Sequence, residues 1–140
     1  MTKKLINIVG PTAIGKTALS IQVVNLYKTE ILSADSRQFF KEMAIGTAVP
    51  EPEELAAANH HFIQHKSITE DYNVGDFEKE ALAKLDELFE EHDVMVMVGG
   101  SGLYTKAVVE GLDHFPEIDS NIRLELNEEL SQHGLQSLQQ

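Results

Sequence analysis

With 140 residues the chain has the length of one domain, so we expect a single hydrophobic core. Hydrophobic residues make up 42% of it and charged residues 24%, which excludes a disordered tail. The absence of cysteine excludes disulfides, thiolate metal sites and cysteine nucleophiles. The sequence has no apolar run long enough to span a bilayer and no signal-peptide pattern at MTKKLINIVG, so we expect a cytoplasmic protein without a membrane segment.

The net charge of −12 argues against nucleic-acid binding by the surface as a whole, because such affinity comes largely from neutralised phosphates. The charge is unevenly distributed along the chain. Residues 1–50 carry a balance of +3, whereas residues 51–140 carry a balance of −15. We therefore expect any phosphate binding to fall within the first fifty residues.

Short apolar runs alternate with amphipathic stretches, which predicts an α/β domain with a central parallel sheet flanked by helices. The run VMVMV at 94–98 is apolar throughout, as in a strand covered on both faces. The helix over 16–27 is expected to bury an apolar face that includes Leu19 and Leu26. The stretch 37–50 is predicted to be irregular. Predicted strands cover 5–9, 30–34 and 94–98, and predicted helices cover 16–27, 53–59, 74–92, 103–110 and 120–133.

The strongest motif is GPTAIGKT at 10–17, which matches the phosphate-loop pattern G-x-x-x-x-G-K-[ST] between a predicted strand and a predicted helix. Its glycines let the backbone wrap a phosphate, and the free amides at the helix start point toward the anion. Lys16 supplies a positive charge to the terminal phosphate, and the Thr17 hydroxyl is placed to bind Mg²⁺. The predicted diphosphate- or nucleotide-binding residues are Gly10, Pro11, Thr12, Ala13, Ile14, Gly15, Lys16 and Thr17.

A second motif, DSRQ at 35–38, follows the predicted strand at 30–34. Ligands of open α/β sheets bind at the carboxyl ends of the strands, which is where this motif falls. A carboxylate at Asp35 could accept a proton or hold a hydroxyl group, and Arg37 could form a forked contact with a phosphate. An equally good reading is that Asp35 only caps the following turn.

A third motif, GGSGLY at 99–104, follows the strand at 94–98. Its glycines and Ser101 allow close approach either of a ligand or of a neighbouring part of the fold. No acidic residue ends that strand, where a typical phosphate-loop ATPase has its magnesium-binding aspartate. This makes a plain ATPase or GTPase the weaker interpretation.

Three closely spaced histidines and one arginine outside these motifs also need an interpretation. The spacing of His60, His61 and His65 hints at a metal site, but no Glu or Cys falls at matching spacing. We expect these histidines to be buried or hydrogen-bonded instead. Arg123 lies one residue off the apolar stripe of its predicted helix, so it should face solvent or a partner.

Taken together, the motifs closely resemble the tRNA dimethylallyltransferase family over nearly the whole chain. Members of that family have a P-loop NTPase-like core and continue into a helical insertion and a basic tRNA-contacting part. The resemblance implies a phosphate-loop core over 1–114 and the truncated start of the insertion over 115–140. The motifs in order are GPTAIGKT (10–17), EILSADSRQFFKEMAIGTAVP (30–50), HHFI (60–63), YNVGDF (72–77), GGSGLYTKAVVEGL (99–112) and DSNIR (119–123).

The resemblance also implies an activity. Enzymes of this family transfer a dimethylallyl group from dimethylallyl diphosphate to the exocyclic amine of the adenine 3′ of the anticodon. Asp35 would be the base and Thr12 would act beside the diphosphate, with Mg²⁺ at Thr17. Ser101 replaces the threonine usual in the family but keeps its hydroxyl, and we expect a monomer. The implied tRNA-binding residues are Asp35, Ser36, Arg37, Gln38, Ser101 and Arg123.

Three alternatives stay open from the residues alone. A related prenyltransferase could act on a free adenine nucleotide rather than on tRNA. A small-molecule kinase shares the phosphate loop and an Asp after the second strand, but it should carry an arginine-bearing lid, and Arg37 and Arg123 are the only arginines. A non-catalytic phosphate-binding module is the third alternative.

Overall fold

Four strands and six helices make up the described part of the chain, which covers residues 2–113, 116 and 118–139 of a computed structural model. The predicted boundary between residues 114 and 115 lies outside these described residues. None of the helices within them combines the length and apolar character that crossing a membrane requires. The elements are β1 (Lys4–Val9), α1 (Lys16–Tyr27), β2 (Ile31–Ser33), α2 (Pro52–Ala57), β3 (His60–His61), α3 (Val74–Glu91), β4 (Val94–Gly99), α4 (Gly102–Glu110), α5 (Ser120–His133) and α6 (Leu135–Leu138).

The strands form one parallel sheet in the order β1-β4-β2-β3. Its central strand β4 is covered on both sides because successive side chains point to opposite faces. Met95 and Met97 pack in one buried cluster with α3 and α4 side chains, and Val96 and Val98 pack in the other with Val24 of α1. The predicted parallel sheet with flanking helices is confirmed.

Helix α1 differs from its prediction in the face that it buries. Leu19 is 49% exposed and Leu26 is 77% exposed, so the prediction that these two are buried was wrong, whereas Ile21 and Val23 of the same helix pack against the core. The buried side chains are Ser20 and Val24, which are four residues apart and therefore share one side of the helix. The Ser20 hydroxyl donates to the Thr17 carbonyl at 2.8 Å, so its burial leaves no unpaired donor.

Helices α3 and α5 have the predicted starts but different packing. Asn73 caps α3 by accepting from the amides of Gly75 and Asp76, and Asp76 accepts from the Asn73 amide in return. Helix α3 buries four side chains, whereas α5 buries none among the described residues. The predicted boundaries otherwise shift by one or two residues, and the pairing of β3 with β2 adds a strand at the sheet edge.

Candidate active site

Three loops meet at the carboxyl edge of the sheet. Because the strands are parallel and Val9 is in register with Gly99, the phosphate loop and the GGSG loop leave the sheet side by side. Asp35 leaves β2 on the other flank of β4. A Cβ on Gly100 would lie 3.7 Å from Asp35 Oδ2 and 3.9 Å from the Gly10 carbonyl oxygen. The three predicted motifs therefore converge on one place.

A pocket of 380 Å³ opens at this edge. The phosphate loop and the start of α1 form one side, and Asp35 and Gln38 lie between that side and β3. The structure thus brings together most of the phosphate loop and half of the DSRQ motif. Gly99 of the GGSGLY motif also lines the pocket. The remaining lining residues were not predicted as site residues: Ala18, Ser33, Ala48, Val49, Pro50, Glu51, Glu54, His60, Ile63 and Val98.

The phosphate loop has the backbone shape that an anion site needs. Gly15 precedes α1 with φ of 97°, a left-handed conformation that glycine adopts without a Cβ clash. No side chain of the described residues caps the α1 N-terminus, and its first turn has no acidic residue. Lys16 Nζ donates to the Pro11 carbonyl at 2.7 Å, across the loop that it would serve. Free amides and a lysine at a helix start are a ready anion-binding arrangement.

Asp35 both shapes a turn and lines the pocket, which are the two roles that the sequence left open. Its Oδ1 accepts from the Arg37 amide at 3.2 Å and its carbonyl accepts from the Gln38 amide at 3.0 Å, so it does shape the turn. The same half-buried side chain also lines the pocket. One carboxylate oxygen is therefore used in the turn, and the other lies on the side of Gly100.

The remaining polar residues of the DSRQ motif are held within the protein. Ser36 donates its amide to Ser101 Oγ at 3.0 Å, and the two hydroxyl oxygens are 3.1 Å apart. Gln38 Nε2 donates to the Ala48 carbonyl at 2.7 Å, and its Oε1 accepts from Ser33 Oγ at 3.3 Å. Ser36 and Gln38 therefore connect the turn to the GGSG loop and to the stretch that forms the far side of the pocket.

The two arginines lie outside the pocket. Arg37 is exposed and does not line it. Arg123 is exposed on α5 and lines a separate cavity with Asp71, Tyr72 and Asn73. The structure of the described residues thus brings neither arginine to the phosphate loop.

Two glycines of the GGSG loop serve different purposes. A Cβ on Gly99 would collide with the backbone carbonyl group of Ala34, so this glycine is required where β4 and β2 end side by side. Gly100 has only ordinary contacts, with Asp35 and Gly10. Close packing therefore explains Gly99, and Gly100 is the one that lies between the site loops.

The three histidines are hydrogen-bonded, as predicted. His60 Nδ1 donates to the Ala58 carbonyl at 2.8 Å, which leaves Nε2 as the acceptor nitrogen. His61 Nε2 lies 2.5 Å from Glu30 Oε2, and His65 Nε2 lies 3.4 Å from the Tyr72 hydroxyl. Burial lowers the pKa of His60, against the pull of the Ala58 carbonyl and Glu54, so this pocket residue is held neutral.

The unpredicted side of the pocket is formed by residues in unusual backbone conformations. Ala48, Phe62 and Gln64 all have positive φ, between 49° and 64°. Ile63 lines the pocket and lies between Phe62 and Gln64, whose backbones are in the left-handed conformation and turn the chain there. The motif HHFI was the only sequence signal near Ile63, and it carried no indication of this geometry.

Known proteins share both the sequence and the fold of this chain. The family model described as IPP transferase matches residues 38–140. A tRNA dimethylallyltransferase of Christiangramia forsetii is 66% identical over 99% of this chain and 46% of its own length. The corresponding protein of Flavobacterium johnsoniae is 62% identical over 99% of this chain and 45% of its own length.

Solved structures of two transferases are similar to the fold of this chain. The full-length tRNA isopentenylpyrophosphate transferase of Bacillus halodurans superposes with a TM-score of 0.77 at 36% identity, over 98% of this chain and 46% of that one. A eukaryotic dimethylallyltransferase acting on tRNA gives a TM-score of 0.77 at 26% identity, over 91% of this chain and 32% of that one. This likeness confirms the predicted P-loop NTPase-like fold. The chain spans about half the length of the curated relatives that it matches. It belongs to the IPP transferase family.

Proposed function

We propose that the protein carrying this chain transfers a dimethylallyl group from dimethylallyl diphosphate to the exocyclic amine of the adenine 3′ of the anticodon in tRNA. The observation that carries this proposal is the convergence of a phosphate loop and Asp35 on one pocket. An anion site beside a carboxylate suits a reaction in which diphosphate leaves and a proton must be taken up. We also propose that the protein is cytoplasmic and monomeric.

The phosphate loop would hold the diphosphate. As the bond between the allylic carbon and the diphosphate oxygen breaks, negative charge grows on the leaving group. The amides at the start of α1, the Lys16 ammonium and the Thr12 hydroxyl would stabilise that charge, because all lie on the loop side of the pocket. Lys16 would exchange its bond to the Pro11 carbonyl for one to the diphosphate.

Mg²⁺ fits the donors at this end of the pocket. The Thr17 side chain lines the pocket and offers a hydroxyl oxygen, and the diphosphate would complete the oxygen ligands. Among the described residues there is no cluster of three or more His, Asp or Glu side chains that could hold a metal ion by itself. When bound with the substrate, the ion would neutralise part of the diphosphate charge.

Asp35 would be the general base. The adenine amine is a poor nucleophile because its lone pair is delocalised into the ring, so its proton must leave as the new carbon–nitrogen bond forms. Asp35 lines the pocket together with the phosphate loop and has a carboxylate oxygen on the side of Gly100, where it could take that proton. Ser36, Arg37, Gln38 and Ser101 would position the adenine once it has left the stacked anticodon loop, with Arg123 contacting the tRNA farther away.

Two variants of the protein at the full length of its relatives test this proposal. Asp35→Asn keeps the shape of the side chain but cannot take a proton, so it should lower kcat for transfer to tRNA about 10²–10⁴-fold, with dimethylallyl diphosphate affinity almost unchanged. Lys16→Ala is the matched comparison, because it should weaken dimethylallyl diphosphate binding in calorimetry. A normal kcat in Asp35→Asn would mean that Asp35 only shapes the turn. A parallel assay with AMP as the acceptor tests whether the protein modifies tRNA or free nucleotides.

A further inference from the structure

A turn at 41–47 projects from the rim of the pocket. The chain lines the pocket at Gln38, leaves it, and returns to line it again at Ala48. Ile45 at the tip of this excursion is 98% exposed, the highest exposure among the large hydrophobic side chains of the described residues. Single exposed hydrophobic residues are common on protein surfaces, so this exposure needs further support to carry meaning.

The first support is that the turn is firmly braced. Thr47 Oγ1 donates to the Met43 carbonyl at 2.5 Å, and the Met43 amide donates to the Phe40 carbonyl at 3.2 Å. Gln38 Nε2 donates to the Thr47 carbonyl at 3.2 Å as well as to that of Ala48. Hydrogen bonds at both ends thus hold Ile45 outward beside the pocket, rather than leaving it on a loose loop.

The second support is local positive charge. Arg37 and Lys41 are exposed, and neither forms an ion pair with any described residue. Glu42, the acid within the turn, keeps its charge next to Lys41 but directs its carboxylate away from it, where it accepts from Ser67 Oγ at 2.7 Å and from the Ile68 amide at 3.1 Å. Arg37 and Lys41 are therefore two cations that can each meet an anionic group of a ligand at the rim of the pocket.

We propose that the turn at 41–47 is a contact surface for the RNA substrate, next to the nucleotide that enters the pocket. Lys41 pairs with a backbone phosphate, and Ile45 packs against the face of a neighbouring base. An unstacked nucleotide has both features, an apolar face and an anionic backbone, which together match this surface better than a protein partner would. This inference rests on the proposed function.

The test measures dimethylallyl transfer to tRNA by the protein at the full length of its relatives, over a range of salt concentrations. Ile45→Ser should raise KM for tRNA about fivefold at every salt concentration, no more than the low end of what a base stacked on an aromatic side chain contributes, because isoleucine offers only apolar contact. Lys41→Gln should raise KM for tRNA and reduce the slope of log KM against log salt by about one, because one phosphate contact is lost. KM for dimethylallyl diphosphate should stay unchanged in both.

Ile45→Val and Lys41→Arg are the matched controls, which retain the apolar contact and the charge and should behave like the parent. An unchanged KM for tRNA in either Ile45→Ser or Lys41→Gln overturns the inference. A lower melting temperature in Ile45→Ser with unchanged KM overturns it too, because Ile45 would then be covered by protein. If the parent protein transfers nothing to tRNA while it binds dimethylallyl diphosphate, the proposed function itself fails.

Discussion

The pocket and the aromatic cluster share the segment 35–39 but differ in how their side chains are packed and paired. The aromatic cluster consists of Phe39, Phe62, His65, Tyr72, Phe77 and Tyr104. In the pocket, Lys16 bonds only to its own loop, and His60 Nε2 has no hydrogen-bond partner among the described residues. In the cluster, Phe39 is fully buried and meets four other rings.

Most polar groups of the cluster are paired, although His65 Nδ1, like His60 Nε2 of the pocket, has no hydrogen-bond partner among the described residues. Glu80 accepts from Lys66 Nζ and from the Tyr72 hydroxyl, each at 2.9 Å. Burial and the bond to Glu80 raise the pKa of Tyr72, so its hydroxyl stays protonated and keeps donating. Asp35 and Phe39 are only four residues apart, yet one faces the pocket and the other anchors the cluster. A residue that serves the chemistry and a residue that serves stability therefore lie close together in the sequence. Substitutions at Asp35 and at Phe39 should affect activity and stability separately.

The largest effect is expected at the anchor of the cluster. Phe39→Ala should lower the free energy of unfolding by about 3–5 kcal/mol, since it removes a fully buried ring stacked at 5.0 Å on Phe77. Urea unfolding of the chain measures this. Asp35→Asn serves as the control four residues away and should change the free energy of unfolding much less. Equal losses at the two positions would mean that the pocket and the cluster are not energetically distinct.

The sequence predicted the loops of the site but not its far wall. Motifs that follow parallel strands must meet at one edge, so GPTAIGKT and DSRQ could be placed at the same edge from the direction of the strands alone. The far wall depends on Phe62 and Gln64 with positive φ, a conformation that local propensity disfavours and only tertiary packing selects. The prediction of the buried face of α1 was incorrect in part for a related reason. Apolar residues occur all round that helix, so hydrophobic periodicity could not identify Ser20 and Val24 as the buried side chains.

A smaller effect is expected from pH. Burial lowers the pKa of His65, with Lys66 acting in the same direction and Glu80 and Glu70 opposing it. The folded state therefore binds this proton less readily than the unfolded state does. His65 therefore does not lower the free energy of unfolding at a pH above its usual pKa of 6.5. As the pH drops below that value, the free energy of unfolding falls.

Urea unfolding at about pH 7.5 and about pH 5.5 measures the loss for the whole chain, to which His60 also contributes because burial lowers its pKa too. The share of His65 is the difference between the parent and His65→Gln, and it cannot exceed about 1.4 kcal/mol per pH unit. His65→Gln should reduce the pH dependence of the free energy of unfolding. Burial opposes the lowering of the Glu80 pKa, but bonds from Lys66 and Tyr72 prevail, so that carboxylate stays ionised over this range. An unchanged pH dependence in His65→Gln would contradict this account of the cluster.

The smallest effect is expected on α5, which tests whether stability is confined to the packed layers. Leu124 is 60% exposed, so Leu124→Ala removes little apolar area from a buried environment and replaces one good helix former with another. The free energy of unfolding of this chain should change by no more than about 0.5 kcal/mol. Leu85→Ala on α3 is the matched control: Leu85 is 5% exposed within the core, and its loss should cost about 2–5 kcal/mol. A loss above about 1 kcal/mol for Leu124→Ala would show that α5 packs against the core and shares its stability, because exposed positions without special contacts do not produce losses of that size.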